Sequence, residues 1–117
     1  MIARTWHGRV LATKADAYYD YLLRTGLNDY QATPGNNGVL VQRRIDGEVA
    51  HFTLTSFWDS VEAIKRFAGE PCDVARYYPE DDEYLLERET SVTHGEVLML
   101  VLHDNDHVNR GPNEEGD

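Results

Sequence analysis

Cysteine is nearly missing: Cys72 is the only one in 117 residues. A lone thiol closes no internal disulfide and builds no cysteine zinc site, so the chain reads as a protein of a reducing compartment, by default the cytoplasm. Long apolar runs are missing as well. No stretch approaches the roughly 18 apolar residues of a membrane span, and MIARTWHGRV lacks the charged-then-apolar layout of a signal peptide, so an untargeted soluble protein is expected. Cations are scarce: 11 Lys and Arg stand against 21 Asp and Glu, for a net charge of −10. That balance argues against a nucleic-acid or anionic-membrane surface, either of which needs a concentrated basic patch. Part of the excess sits at the end of the chain. Asp104, Asp106, Glu114, Glu115 and Asp117 against Arg110 mark residues 104–117 as an acidic, flexible tail with almost nothing apolar to bury.

What remains, residues 1–103, is one domain's worth, and the whole chain's 41% apolar composition, with two Trp, three Phe and seven Tyr, can fill one core. The most informative stretch runs from Val49 to Gly69. Ala50, Phe52, Leu54 and Trp58 alternate with His51, Thr53 and Thr55, the period of a half-buried strand. At Asp59 the rhythm changes. Asp59 followed by Glu62 has the spacing of a capping box, Val61, Ile64, Phe67 and Ala68 recur at helical spacing, and Gly69 supplies the close. Upstream, Ile2 to Val10 alternates as a first strand. Thr13 and Asp16 open a helix with an Ala15, Tyr18, Tyr19, Leu22 and Leu23 stripe that ends at Thr25 and Gly26, and that stripe reads as core.

Residues 28–37 read as loop, Gly38 to Ile45 as a second strand, and Asp46 with Gly47 as a hairpin turn into the third. Pro79 before Glu80, Asp81, Asp82 and Glu83 is the start of a short helix, its acids facing the dipole. Val92 to Leu102 reads as a last strand covered on both faces and so inside the sheet. The order strand, helix, strand, strand, helix, strand predicts an α+β fold: a ferredoxin-like βαββαβ unit, four antiparallel strands with two main helices on one face. The other face, a mix of Val, Thr, His and Leu, calls for a second copy, so a homodimer is the expected state.

Four segments, MIARTWHG, FWDSVEAIKRFAGE, CDVARYYPEDDEYLL and VTHGEVL, resemble the antibiotic biosynthesis monooxygenase superfamily of dimeric α+β barrels, and a small uncharacterised branch of it most of all. The resemblance covers Met1 to about Leu102 and implies the dimeric barrel with a pocket between sheet and helices. It also implies a cofactor-free monooxygenase acting on small electron-rich aromatics, or else a non-catalytic module binding such a molecule. Heme-degrading members use an Asn, a Trp and a His where this chain offers Thr5 or Trp6, Phe67, and Tyr77 or Tyr78, so no cofactor is expected. Gly95 stands where close relatives carry an aromatic.

Oxidising a phenol with O₂ alone needs an apolar pocket, a base for the phenol proton and donors for the peroxide. His94 and His51, expected on central strands, are the candidate catalytic bases; Trp6, Trp58, Arg4, Tyr77 and Tyr78 are the candidate ligand-binding residues. The bland alternative is that each histidine only bonds a neighbouring carboxylate or carbonyl. His103, Asp104, Asp106 and His107 have metal-compatible spacing but lie at a polar end without support, so no metal site is assigned. Cys72 has no cation beside it in sequence to activate it.

Overall fold

A computed structural model describes residues 1–103. The acidic tail, 104–117, and most of the His103 to His107 spacing lie outside them. Strands β1 (Ile2–Leu11), β2 (Asn36–Asp46), β3 (Val49–Trp58) and β4 (Thr93–Glu96) form one antiparallel sheet in the order β2-β3-β1-β4, the ferredoxin-like arrangement. Helices α1 (Ala15–Arg24), α2 (Gly26–Ala32) and α3 (Val61–Ala68) supply the second layer. No helix of the described residues is long and apolar enough to cross a membrane.

The alternation read in the sequence sets the layers. On β3, Ala50, Phe52, Leu54, Ser56 and Trp58 are buried while the residues between them are half-exposed; on β1, Arg4, Trp6, Gly8 and Val10 are the buried set. These two rows meet Tyr18, Tyr21 and Leu22 of α1, Leu27 and Tyr30 of α2, and Ala63, Ile64 and Phe67 of α3 in one aromatic-rich core. Ala3, Thr5, His7 and Arg9 with His51, Thr53 and Thr55 line the opposite face, which no helix among the described residues covers.

Several local expectations shift. Helix α1 is not capped by Thr13: a turn of 3₁₀ helix over Ala12–Lys14 precedes it, and no side chain caps it. The segment expected to be loop contains α2, which buries Leu27 and Tyr30; Gly26 opens that helix where it was expected to end the first. Between them Thr25 breaks the run at φ −119° and ψ −97°, its hydroxyl donating to the Tyr21 carbonyl at 2.8 Å. The cap of α3 is Ser60, which accepts from the Ala63 N–H at 3.1 Å, whereas Asp59 accepts from Asn37 at 2.9 Å. The hairpin turn lies one residue later than expected, at Gly47 and Glu48, with Gly47 at φ 61°.

The largest correction is the last strand. β4 is four residues long and forms the sheet edge beside β1, not its interior. Glu96 pairs with Ile2 and the Val97 N–H reaches the Met1 carbonyl. Among the described residues Val97 to Leu102 joins no further strand pairing, and Leu98 and Met99 are 88% and 81% exposed. The apolar density that reads as burial in the sequence is open surface.

Candidate functional site

A narrow cleft with about 30 Å³ of free space, which an aromatic ligand would have to widen, opens between the helical layer and the inner face of the sheet. Its sheet-side floor is Arg4 and Trp6 of β1 with Leu54 of β3. The helices contribute Tyr18, Leu22, Tyr30 and Phe67; the segment before the 3₁₀ turn at Pro79–Glu83 brings Arg76, Tyr77 and Tyr78, and the turn itself brings Asp81.

Hydrogen bonds hold this wall. The Trp6 indole N–H donates to the Tyr77 hydroxyl at 3.2 Å, and that hydroxyl donates to the Glu89 carbonyl at 2.5 Å. The Tyr78 hydroxyl donates to Asp29, and Asp29 also pairs with Arg76 at 3.4 Å. The Tyr78 N–H donates to the Asp81 carboxylate at 2.5 Å. Arg76 lies over the Phe67 ring at 4.8 Å and Arg4 lies 5.4 Å from its centroid.

Burial sets the electrostatics. Desolvation raises the phenol pKa of Tyr18, Tyr30, Tyr77 and Tyr78, so all four stay neutral hydroxyls. Desolvation likewise raises the Asp81 carboxyl above its usual range, offset in part by the Tyr78 N–H. The cleft thus holds two guanidiniums, one carboxyl with strengthened basicity and a ring of neutral phenols.

Of the candidates read from sequence, Arg4, Trp6, Tyr77 and Tyr78 line this cleft together. Trp58 does not: it is fully buried beside Tyr30 and Phe67, and its N–H donates to the Ser56 hydroxyl at 2.8 Å. His51 is on the opposite, uncovered face, because its parity on β3 alternates with that of Phe52 and Leu54. There its Nδ1 meets His7 Nε2 at 3.0 Å, and His7 Nδ1 meets Glu89 at 2.6 Å, a chain of three polar groups outside the cleft. His94 does share a face with Arg4, its register partner, but stands exposed on the edge strand where no helix reaches. Burial first, and then the Arg4 charge, lower its pKa, with Asp73 acting the other way.

Asp81, Arg76, Tyr18 and Tyr30 belong to the cleft without having been singled out. Asp81 reads as one of four helix-start acids, and nothing in their spacing marks the one that turns inward. Among the described residues no group of three His, Cys, Asp or Glu side chains is placed to hold a metal ion.

The fold defines a ferredoxin-like α+β protein. The sequence matches no protein-family model and no curated protein. Solved structures do match over nearly their whole length. Rv0793 from Mycobacterium tuberculosis is similar at 19% identity over 87% of this chain and 100% of its own, with a TM-score of 0.55. The heme-degrader MhuD from Mycobacterium tuberculosis, with two hemes in its active site, is similar at 19% identity over 86% of this chain and 99% of its own, with a TM-score of 0.53. At that identity the likeness establishes the shared fold.

Proposed function

We propose that the cleft binds a small electron-rich aromatic molecule and that the protein oxidises it with O₂ as a cofactor-free monooxygenase of the antibiotic biosynthesis type. The observation that carries this reading is convergence: Arg4, Arg76, Tyr77, Tyr78 and Asp81 face one aromatic-walled space. Trp6 and Phe67 flank the ring; the phenols and guanidiniums donate hydrogen bonds; Asp81 replaces the histidines as proton acceptor, since neither histidine lines the cleft. With an anthrol, the phenol O–H and the opposite ring C–H hydrogens leave with one oxygen atom as water, and the other oxygen atom becomes the quinone carbonyl. O₂ is the oxidant and the phenol the reductant, so no further electron source is needed.

Heme, which the solved MhuD structure holds, does not fit this set of donors. No imidazole of the described residues lines the cleft, and Tyr77 and Tyr78 are neutral phenols already engaged with Glu89 and Asp29, so neither is poised as a phenolate ligand.

The protein is proposed to work as a homodimer. The uncovered sheet face and the exposed strip from Val97 to Leu102 are contiguous with the free edge at β4, and a second copy would cover both.

Oxygen uptake with an anthrol and a naphthol tests the reading. Turnover that falls about a hundredfold or more in Asp81→Asn supports it. No uptake with either phenol, while aromatic molecules still bind, leaves the non-catalytic binding module in its place.

A further inference from the structure

The most buried arginine of the described residues has no carboxylate beside it, as is also true of Arg24 and Arg66, which instead donate to the backbone carbonyls of Asp20 and Pro34. Arg9, Arg43, Arg44, Arg76 and Arg88 each stand within 4 Å of an Asp or Glu. Arg4 is 1% exposed, and no such partner lies beside it among the described residues. Its Nη2 reaches the Val74 carbonyl at 3.4 Å, near the limit of a bond, the Tyr30 hydroxyl is a neutral side-chain partner, and its Nε has no partner among the described residues.

The groups around it do not supply the missing charge. They are the Tyr30 phenol, which burial keeps neutral, the Cys72 thiol, and Arg76, which is of like sign and already engaged with Asp29 and with the Phe67 carbonyl at 2.8 Å. A guanidinium does not lose its proton in a protein, and burying one unpaired costs several kcal/mol. An unpaired guanidinium at a residue lining the cleft is what a site for an anionic ligand would present. The neighbouring wall of Phe67, Leu54 and Leu22 is apolar, so what enters must carry an apolar body behind its charged end. Asp81 lines the same space, and its charge disfavours a dianion.

We infer that Arg4 is the receptor for a carboxylate, and that the ligand of the cleft is a planar aromatic monoacid whose ring lies against Phe67 and Trp6 while the Arg4 guanidinium turns to its carboxylate. The inference rests on the cleft being the binding site proposed above, and it names the class of molecule bound there.

The full-length protein is titrated calorimetrically at neutral pH with 2-naphthoate, with the uncharged isostere 2-naphthamide, and with inorganic phosphate. Charge-assisted hydrogen bonds predict that naphthoate binds about ten- to a hundredfold tighter than naphthamide and that phosphate does not compete. In Arg4→Met the acid-to-amide ratio falls to about one. Should that variant not fold, the Arg4 Nε–H resonance of the wild-type protein gives the same answer: it shifts with naphthoate and not with naphthamide. Equal affinity for acid and amide overturns the carboxylate assignment while leaving an aromatic site intact. Binding of neither, or an acid preference that survives in Arg4→Met, overturns it outright. Failure of oxygen uptake, by contrast, bears only on the oxidation.

Discussion

Substituting Gly8 by Ala tests how tightly the floor of the cleft is set. Gly8 lies two residues from Trp6 on the inner face of β1, and its backbone is ordinary strand, so alanine adds no dihedral strain. The new methyl carbon would stand 2.3 Å and 2.6 Å from two carbons of the Trp6 indole and 3.0 Å from a Leu85 methyl. Carbon pairs settle at about 3.5–4.0 Å, so the indole must retreat by about 1 Å or more. It is not free to do so: its N–H is bound to Tyr77, and Tyr77 is bound to Glu89. Overpacking of this kind costs about 1–3 kcal/mol, and each kcal/mol lowers the Tm of a domain this size by about 4–8 °C. Urea melts followed by tryptophan fluorescence and circular dichroism measure the loss, and naphthoate titration measures the damage to the cleft. Gly95→Ala, whose methyl would meet nothing within 4 Å, is the control and is expected to stay within about 0.5 kcal/mol of wild type. Gly8→Ala as stable as that control would refute the packing described for Trp6.

The double substitution Leu98→Asp with Met99→Asp should convert a dimer to a monomer in sedimentation at micromolar concentration, because it charges the strip that a second copy is proposed to cover; an unchanged dimer places the interface elsewhere. Ser60→Ala removes the cap of α3 and should cost about 1 kcal/mol in a urea melt, whereas Asp59→Ala should cost less. Asp81 holds its proton to higher pH folded than unfolded, so its contribution to stability is full at low pH and is lost as pH rises from the unfolded carboxyl value of about 3.9 through the raised folded one. Asp81→Asn should therefore gain stability over wild type as pH rises across that window, and parallel curves would contradict its burial. His94 should titrate below the ordinary histidine range by NMR and move up in Arg4→Met, since the Arg4 charge helps depress it; no movement would separate the two groups.

The inner row of β3, the α3 stripe and its Gly69 close are visible in the sequence because period and punctuation are local properties, and the ferredoxin-like order follows from them. The edge position of β4 is not: the apolar density of EVLMLVL, residues 96–102, cannot show that pairing with β1 covers only Thr93 to Glu96. Helix α2 escapes notice because Gly26 looks like a stop and the seven residues it opens are too few for periodicity to speak. Within the site, Arg4, Trp6, Tyr77 and Tyr78 are legible as donors and walls, and they do meet. His51 fails on parity, Trp58 on depth, and His94 because sharing a face with Arg4 does not ensure that a helix lies above it. Asp81 and Arg76 could be found only in three dimensions, where one acid of four turns inward.

The space between sheet and helices, and not the uncovered face, is proposed to be where this protein receives its ligand. A crystal structure of the full chain with 6-bromo-2-naphthoate tests it directly, because anomalous scattering locates the bromine without reference to any expected pose. The prediction is one bromine peak per chain in the cleft, the ring against Trp6 and Phe67 and the carboxylate on Arg4. A bromine on the open face beside His7 and His51, or a cleft left empty at saturating ligand, would contradict it.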